Sequence, residues 1–385
     1  MVLALAVVAL GAALAAATPV EYATSVDCQT NTIHVPVSAQ GKNIQVPLPS
    51  DQDALIAFVQ KATALNGMNN ITATQVNSSR EINGTYSIYG KLCTPKSNRS
   101  STVQLLVHGI GFDSSYWDFA IDPANYSYVR AAHAAGYSTF TFDRLGIGRS
   151  EKPDAREVIQ TATEIAIAKY FANNLRKGTL PFSNMRKFGK VAYVGHSFGS
   201  EIGNGLAASD PSAADAYVFT GFSHNSTGVV GFYDGTQPVL ANTYGPSAFS
   251  GLSNGNFLFN PAGYGAQLIF FKTYYYAQSV LKQALATAQT FTLGEALTMG
   301  AAVMASTANV TSPVAIFTGD SDAIFCAGSC YIAGKENLIA AEKQYYPSAR
   351  AFLPYVIANT GHAANLHYSA AVWFKAVQTF LEAEL

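Results

Sequence analysis

The stretch Gly195-His196-Ser197-Phe198-Gly199 directly follows the apolar run Val191-Ala192-Tyr193-Val194. This junction constrains the chain more than any other. A buried strand that enters a G-x-S-x-G turn and leaves as a helix must hold its serine in a strained backbone conformation. Only small residues two positions away on either side permit that turn, and the serine oxygen is then held out in the open. Downstream, Gly199, Ile202, Gly203 and Leu206 fall on or near one face of a helical stretch, where small residues let helix and strand approach closely. Ser197 is therefore a candidate nucleophile.

The 385 residues are 49% hydrophobic, enough core for one large α/β domain with an insertion or for two ordinary domains. A net charge of -1 with only 12% charged residues leaves no basic stripe to neutralise phosphates, which argues against nucleic acid as a partner and in favour of small or apolar ligands. Met1 to Ala17 is almost entirely Ala, Val and Leu and ends in Ala15-Ala16-Ala17, the pattern of a secretion signal cleaved before Thr18. The competing reading, a membrane anchor, meets a stretch that is short for a span, and no other segment approaches that length.

Secretion agrees with seven N-x-S/T sequons, at Asn70, Asn77, Asn83, Asn98, Asn125, Asn225 and Asn309, none of them in the elbow or in an expected buried strand. In an oxidising compartment the four cysteines read as two disulfides. Three pairings are possible; Cys28 with Cys93 and Cys326 with Cys330 is the favoured one. Cys326 and Cys330 lack a neighbouring Cys or His pair to complete a tetrahedral metal site, so no metal is expected.

Two short β-like runs, Ile33 to Val37 and Ile44 to Leu48, each carry a proline that fits edge or irregular structure. A helix capped by Ser50 or Asp51 follows, with a stripe of Leu55, Phe58, Val59, Ala62 and Leu65 and a stop at Gly67. Ile71 to Ile82 and Thr85 to Leu92 resemble a hairpin around Asn83-Gly84. From there the pattern alternates. Strands are expected at Val103 to Val107, Ser138 to Phe142, the elbow strand, Ala216 to Thr220, Val314 to Thr318 and Phe352 to Ile357, with helices between them. That alternation means an α/β fold, a mostly parallel sheet with helices on both faces, and Pro354 marks the last strand as an edge. The stretch Phe222 to Ser306 breaks the alternation, is poor in charge and rich in Phe and Tyr, and is helix-compatible at Ala266 to Gln289 and Leu293 to Ala305, as an inserted helical cap would be. The expected organisation is a signal at 1–17, an N-terminal extension and first strand at 18–84, a core at 85–221 and 307–385, and a cap or lid at 222–306.

A serine needs a base, and the base needs an orienting group. His362, in Thr360-Gly361-His362 after the last strand, falls on the same rim of the sheet as Ser197, because functional groups collect at the carboxyl ends of parallel strands. After the penultimate strand, Asp320 and Asp322 both reach that rim, and either can accept the imidazole N–H; Asp320 is assigned to the turn and Asp322 to His362. Donors for a developing oxyanion are expected from the backbone N–H of Phe198 and from that of Ile110 in the loop His108-Gly109-Ile110-Gly111, with His108 itself structural.

Together His108-Gly109, Asp143 to Ser150, the elbow, Gly319-x-x-Asp322 and Gly361-His362 resemble, in that order, the α/β-hydrolase superfamily, from about Tyr86 to the C-terminus outside the insertion. The resemblance implies Asp322 as the acid and His362 as the base, and makes Asp143 and Arg144 scaffold ion pairs. A serine at the elbow disfavours the members whose nucleophile is aspartate. The implied activity is a secreted serine hydrolase of small, apolar or aromatic carboxylic esters or lactones, acting through an acyl-enzyme without a cofactor. An acyltransferase or cyclase of small natural products uses the same residues with a different acceptor, and a noncatalytic binding module on the same scaffold is the reading from another class.

Overall fold

In the computed structural model the described residues are 26–97, 100–225, 227–332 and 337–385. The expected signal at 1–17 and the sequon residue Asn98 lie outside them. Among the described residues eleven strands run in chain order: β1 (Val26–Asn43), β2 (Ser78–Pro95), β3 (Thr102–Val107), β4 (Ser138–Phe142), β5 (Lys190–His196), β6 (Ala216–Thr220), β7 (Val239–Leu240), β8 (Asn256–Leu258), β9 (Phe291–Thr292), β10 (Val314–Gly319) and β11 (Phe352–Ile357). Eight form one sheet in the order β1-β2-β4-β3-β5-β6-β10-β11. The pairings β1–β2 and β2–β4 are antiparallel, and every pairing from β4 to β11 is parallel. Strands β3, β4 and β6 are buried at every residue, as expected of central parallel strands covered on both faces.

The order places β3 between β4 and β5, so the connections leaving β3 and its neighbours diverge to opposite sides at this point. Such a reversal opens a crevice beyond the carboxyl ends of the strands. Both Ile110, just after β3, and Ser197, just after β5, fall at that crevice.

Two expectations for the N-terminal part are corrected. There is no hairpin at Asn83-Gly84: Asn83 and Gly84 sit within β2, opposite Ser38 and Val37 of β1, and Gly67–Gln75 is a helix. A two-residue turn signal is local, whereas β1 offers β2 a partner along its full eighteen residues, and that long-range pairing prevails. The two runs expected at Ile33 to Val37 and Ile44 to Leu48 become the single strand β1 and an irregular segment after it. On β1 the alternation is retained, with Ile33, Val35 and Val37 buried. Pro36 is accommodated because β1 is an edge of the sheet, and Pro354 lies on the opposite edge, β11. Asp51 caps the following helix by accepting from the Ala54 N–H, and the helix ends at Thr63, leaving Leu65 exposed. Cys28 and Cys93 face each other across β1 and β2 and are bonded, as are Cys326 and Cys330.

Between β6 and β10 the chain forms short helices, among them Val229–Thr236, Tyr264–Phe270, Gln278–Ala286 and Leu293–Val303, and the small antiparallel sheet β7-β8-β9. The helix-compatible stretch Ala266 to Gln289 forms two helices rather than one, because 271–277 leaves the helical path to run against the loop after β11. Most aromatics of this insertion are core. Phe259 packs on Phe232, Phe270 and Phe291 at ring separations of 5.8, 5.2 and 5.7 Å.

A buried charge cluster joins the insertion to the sheet domain. Arg144 pairs with Glu164, on the helix Thr161–Lys177, and with Glu295, in the first turn of Leu293–Val303, and all three side chains are buried. Glu295 also completes a capping box with Thr292. Asp143 forms no ion pair among the described residues; it instead accepts from the N–H and hydroxyl of Ser114 and from the Arg149 N–H. Glu201, buried on the helix after the elbow, has its carboxyl pushed up to about 8 by burial, an effect only partly offset by Arg144.

Removing one member of a buried ion pair leaves uncompensated charge, at a cost of about 3–5 kcal/mol. Arg144→Met is expected to lose stability on that scale in urea denaturation. Glu201 gives a pH-dependent counterpart. Between its ordinary value of 4.5 and about 8 the folded protein keeps a proton on Glu201 that the unfolded chain has lost, so its contribution to stability falls as pH rises through that window. Glu201→Gln is expected to raise the urea midpoint more at pH 8 than at pH 5; an equal shift at both values refutes the assignment.

Candidate active site

Ser197 caps the helix Phe198–Ser209 with φ 53° and ψ -122°, a region sparsely populated by residues with a side chain. The flanking glycines are required by space. A Cβ on Gly195 would lie 2.5 Å from the Gly199 carbonyl oxygen, and one on Gly199 would lie 2.1 Å from that of Val107. Donation from the Ser197 N–H to Thr220 O (2.9 Å) and from the Tyr193 hydroxyl to Gly199 O (2.6 Å) pins the turn to both flanks. Ser197 is partly exposed while its neighbours are buried.

The loop after β11 brings His362 beside it. His362 Nε2 is 2.8 Å from Ser197 Oγ, and His362 Nδ1 is 2.7 Å from Asp322 Oδ2. Asp322 is fully buried, and its other oxygen accepts from the N–H groups of Ile324 and Phe325, each at 2.9 Å. With the carboxylate accepting at Nδ1, the imidazole carries its hydrogen there and turns a bare Nε2 to the serine.

Asp320 has a different set of partners. It accepts from the N–H groups of Asn359 and Thr360, from Ser321 and from the Lys272 ammonium of the insertion. Burial raises its carboxyl, but the hydrogen bonds from Asn359, Thr360 and Lys272 outweigh burial and hold it below the usual range. The disulfide Cys326–Cys330 closes the loop that follows Asp322, and the Cys330 N–H donates to Asp320 O.

The loop after β3 touches the elbow: a Cβ on Gly109 would lie 2.8 Å from Ser197 Cβ. Among the described residues, the N–H groups of Phe198 and Ile110 have no hydrogen-bond acceptor. The Phe198 N–H also sits at the positive end of a helix. His108 is buried, lies within hydrogen-bond reach of Gly109 O and accepts from the Arg144 N–H. Burial and then the Arg144 charge push it well below the ordinary imidazole range.

Several neighbours carried no motif signal. His196 stacks on Tyr116 at 4.4 Å, and its ring is 5.1 Å from that of His362; burial and then the proximity of His362 push its imidazole well below the ordinary range. Asn365 donates to Tyr116 O (3.0 Å), tying the His362 loop to the turn Ser114–Trp117. Phe270, from the insertion, stands 5.3 Å from the His362 ring and forms a wall of an apolar cavity of about 120 Å³. Gly111, Phe112, Phe259, Ala266 and Leu285 line it as well. Ser197 itself is not among the lining residues; Phe270 is the residue that both lines the cavity and stands against the His362 ring. Only the aromatic richness of 222–306 could have announced it.

Of the sequon asparagines, Asn70, Asn77, Asn83, Asn125 and Asn309 are exposed, Asn83 within β2, and Asn225 is half-buried. Among the described residues no group of three or more His, Cys, Asp or Glu side chains is arranged to hold a metal ion, and no helix is long and apolar enough to cross a membrane.

Comparison with curated protein sequences gives no match. Solved structures share the fold at low identity. A thermophilic esterase from Thermogutta terrifontis is 13% identical, with a TM-score of 0.50 over 78% of this chain and 94% of its own. A structure from work on carboxylesterases of Nitrososphaera gargenis is 16% identical, with a TM-score of 0.51 over 78% and 95%. An alpha/beta hydrolase fold protein from Chitinophaga pinensis is 12% identical, with a TM-score of 0.50 over 78% and 94%. The sequence profile of the Alpha/beta hydrolase family matches residues 104–375, well over half of the molecule, and the chain therefore belongs to that family.

Proposed function

We propose that the protein is a secreted serine hydrolase of carboxylic esters or lactones bearing small apolar or aromatic groups. The observation that carries this reading is the unbroken line Ser197 Oγ, His362, Asp322, with contacts of 2.8 and 2.7 Å. Ser197 Oγ attacks the carbonyl carbon as His362 Nε2 takes its proton, and Asp322 stabilises the imidazolium. The N–H groups of Phe198 and Ile110 hold the oxyanion, each contributing on the order of a hundred-fold in rate. Collapse of the tetrahedral intermediate breaks the ester C–O bond, and the leaving alkoxide takes the proton from His362. Water, deprotonated by His362, then attacks the acyl carbon; the bond from that carbon to Ser197 Oγ breaks, the serine oxygen takes the proton back from His362, and the acid is released. The residues 222–306 act as a cap in this reading.

The cavity supports the substrate class. A dry apolar cavity of about 150 Å³ accommodates one benzene molecule, so the space of about 120 Å³ between Gly111, Phe259 and Phe270 suits a short or compact apolar group. Secretion is supported by the two disulfides and by the exposed sequon asparagines.

A fluorophosphonate probe is expected to label Ser197 in the folded protein, and an unlabelled serine overturns the enzyme reading. Asp322→Asn is expected to lower kcat by about ten-thousand-fold through loss of the imidazole tautomer, and Asp320→Asn far less; the reverse ranking in steady-state assays shows that the acid is misassigned. Across a series of p-nitrophenyl esters, butyrate is expected to exceed both acetate and dodecanoate in kcat/KM, with Phe259→Ala moving the optimum to longer chains.

A further inference from the structure

The loop that carries His362 is held on its inner side by one buried imidazole that the chemistry above does not use. His367 Nδ1 lies 2.9 Å from Ala363 O, a contact that only an Nδ1–H can make. Its Nε2 is therefore a bare lone pair, and it accepts two backbone N–H groups from different parts of the chain. Lys272 of the insertion donates at 2.9 Å, and Gly361, the residue before His362, donates at 3.1 Å.

Around this nitrogen the two segments are pressed together. The Ala363 N–H donates to Phe270 O at 2.8 Å and the Tyr368 N–H to Tyr275 O at 2.9 Å. A Cβ on Gly361 would lie 2.7 Å from the Lys272 nitrogen, so the approach requires glycine there. His367 is fully buried, with its ring 5.6 Å from that of Phe271. Burial pushes its imidazole down to about 4, in keeping with a nitrogen that must accept from two donors.

We infer that His367 is a positioning residue: by accepting the N–H groups of Lys272 and Gly361 at a single nitrogen, it clips the insertion to the loop of His362. The clip fixes the wall of the apolar cavity relative to the base, because Phe270 lies between the two and is bonded to Ala363. It also makes 270–272 one anchor of the insertion. The inference rests on reading His362 as the base.

The two nitrogens can be separated by substitution. In H367Q the amide oxygen reaches the Nε2 position and keeps an acceptor for the clip. In H367N the amide nitrogen keeps the bond to Ala363 O and the clip is lost. The rate at which a fluorophosphonate labels Ser197 in the full-length protein is expected to fall about ten-fold or more in H367N, since small misplacement of a catalytic group is costly, and to stay within about three-fold of wild type in H367Q. Equal rates in the two variants, or the reverse ranking, overturn the clip; a role in packing alone predicts equality.

Amide hydrogen exchange at Lys272 and Gly361 reads the clip without chemistry. Both amides are expected to exchange faster in H367N and to stay protected in H367Q; unchanged exchange in H367N overturns the inference. If the wild type is not labelled by the probe, the hydrolase reading fails and exchange alone judges the clip. If a variant does not fold, wild-type exchange decides: protection of both amides supports the clip, and free exchange at either removes it.

Discussion

One close approach of backbone to backbone governs the site. The first turn of the helix after β5 presses Gly199 onto the Val107 carbonyl and Gly195 onto Gly199, leaving no room for any side chain at either position. Ser197 absorbs the resulting turn in a backbone conformation that costs on the order of 1–3 kcal/mol and persists only where its surroundings over-determine it. Here the bonds to Thr220, the Tyr193 hydroxyl and the fully buried strands β3 and β6 on either side of β5 supply that constraint. The positions of His362, Asp322 and the Ile110 turn have meaning only relative to where this turn sets the serine oxygen.

What the sequence revealed follows from the range of each signal. The strands β4, β6 and β11 could be read at their observed bounds, because short apolar or β-branched runs between turn residues are local patterns. Ser197, His362 and Asp322 were identifiable because each follows a strand of a parallel sheet, and such strands end on one rim. The choice between Asp320 and Asp322 depended on which of two neighbouring carboxylates turns inward, and the partners of Asp320 on Asn359, Thr360 and Lys272 lie some distance along the chain. The pairing of β1 with β2 was hidden for the same reason. Its register is long-range, while Asn83-Gly84 sends a strong local signal to the contrary. The insertion was recognisable as a break in periodicity, but its contacts through Phe270 and Lys272 depend on main-chain groups, which every residue has and no motif marks.

Among the attachments that hold the insertion, two are of unlike kinds. At Glu295 it is joined through charge to Arg144, which in turn lies over the ring of Phe198 at 4.7 Å. At Phe270 to Lys272 it is joined through backbone hydrogen bonds and the Lys272–Asp320 pair to the loops after β10 and β11. Desolvation offsets much of the attraction in a buried ion pair. The Arg144 cluster meets the helix Leu293–Val303 at its first turn, while the aromatic packing around Phe259 supplies the apolar burial.

The two prolines at the margins of the sheet have a consequence beyond their own strands. An open sheet of eight strands ends in two rows of unpaired backbone groups, each a template on which a second chain can add. Pro36 on β1 and Pro354 on β11 remove one donor from each row, so a strand arriving at either margin meets a gap in the ladder partway along. The guard against strand addition is thus written into both margins of the sheet rather than into charge, only 12% of the residues being charged.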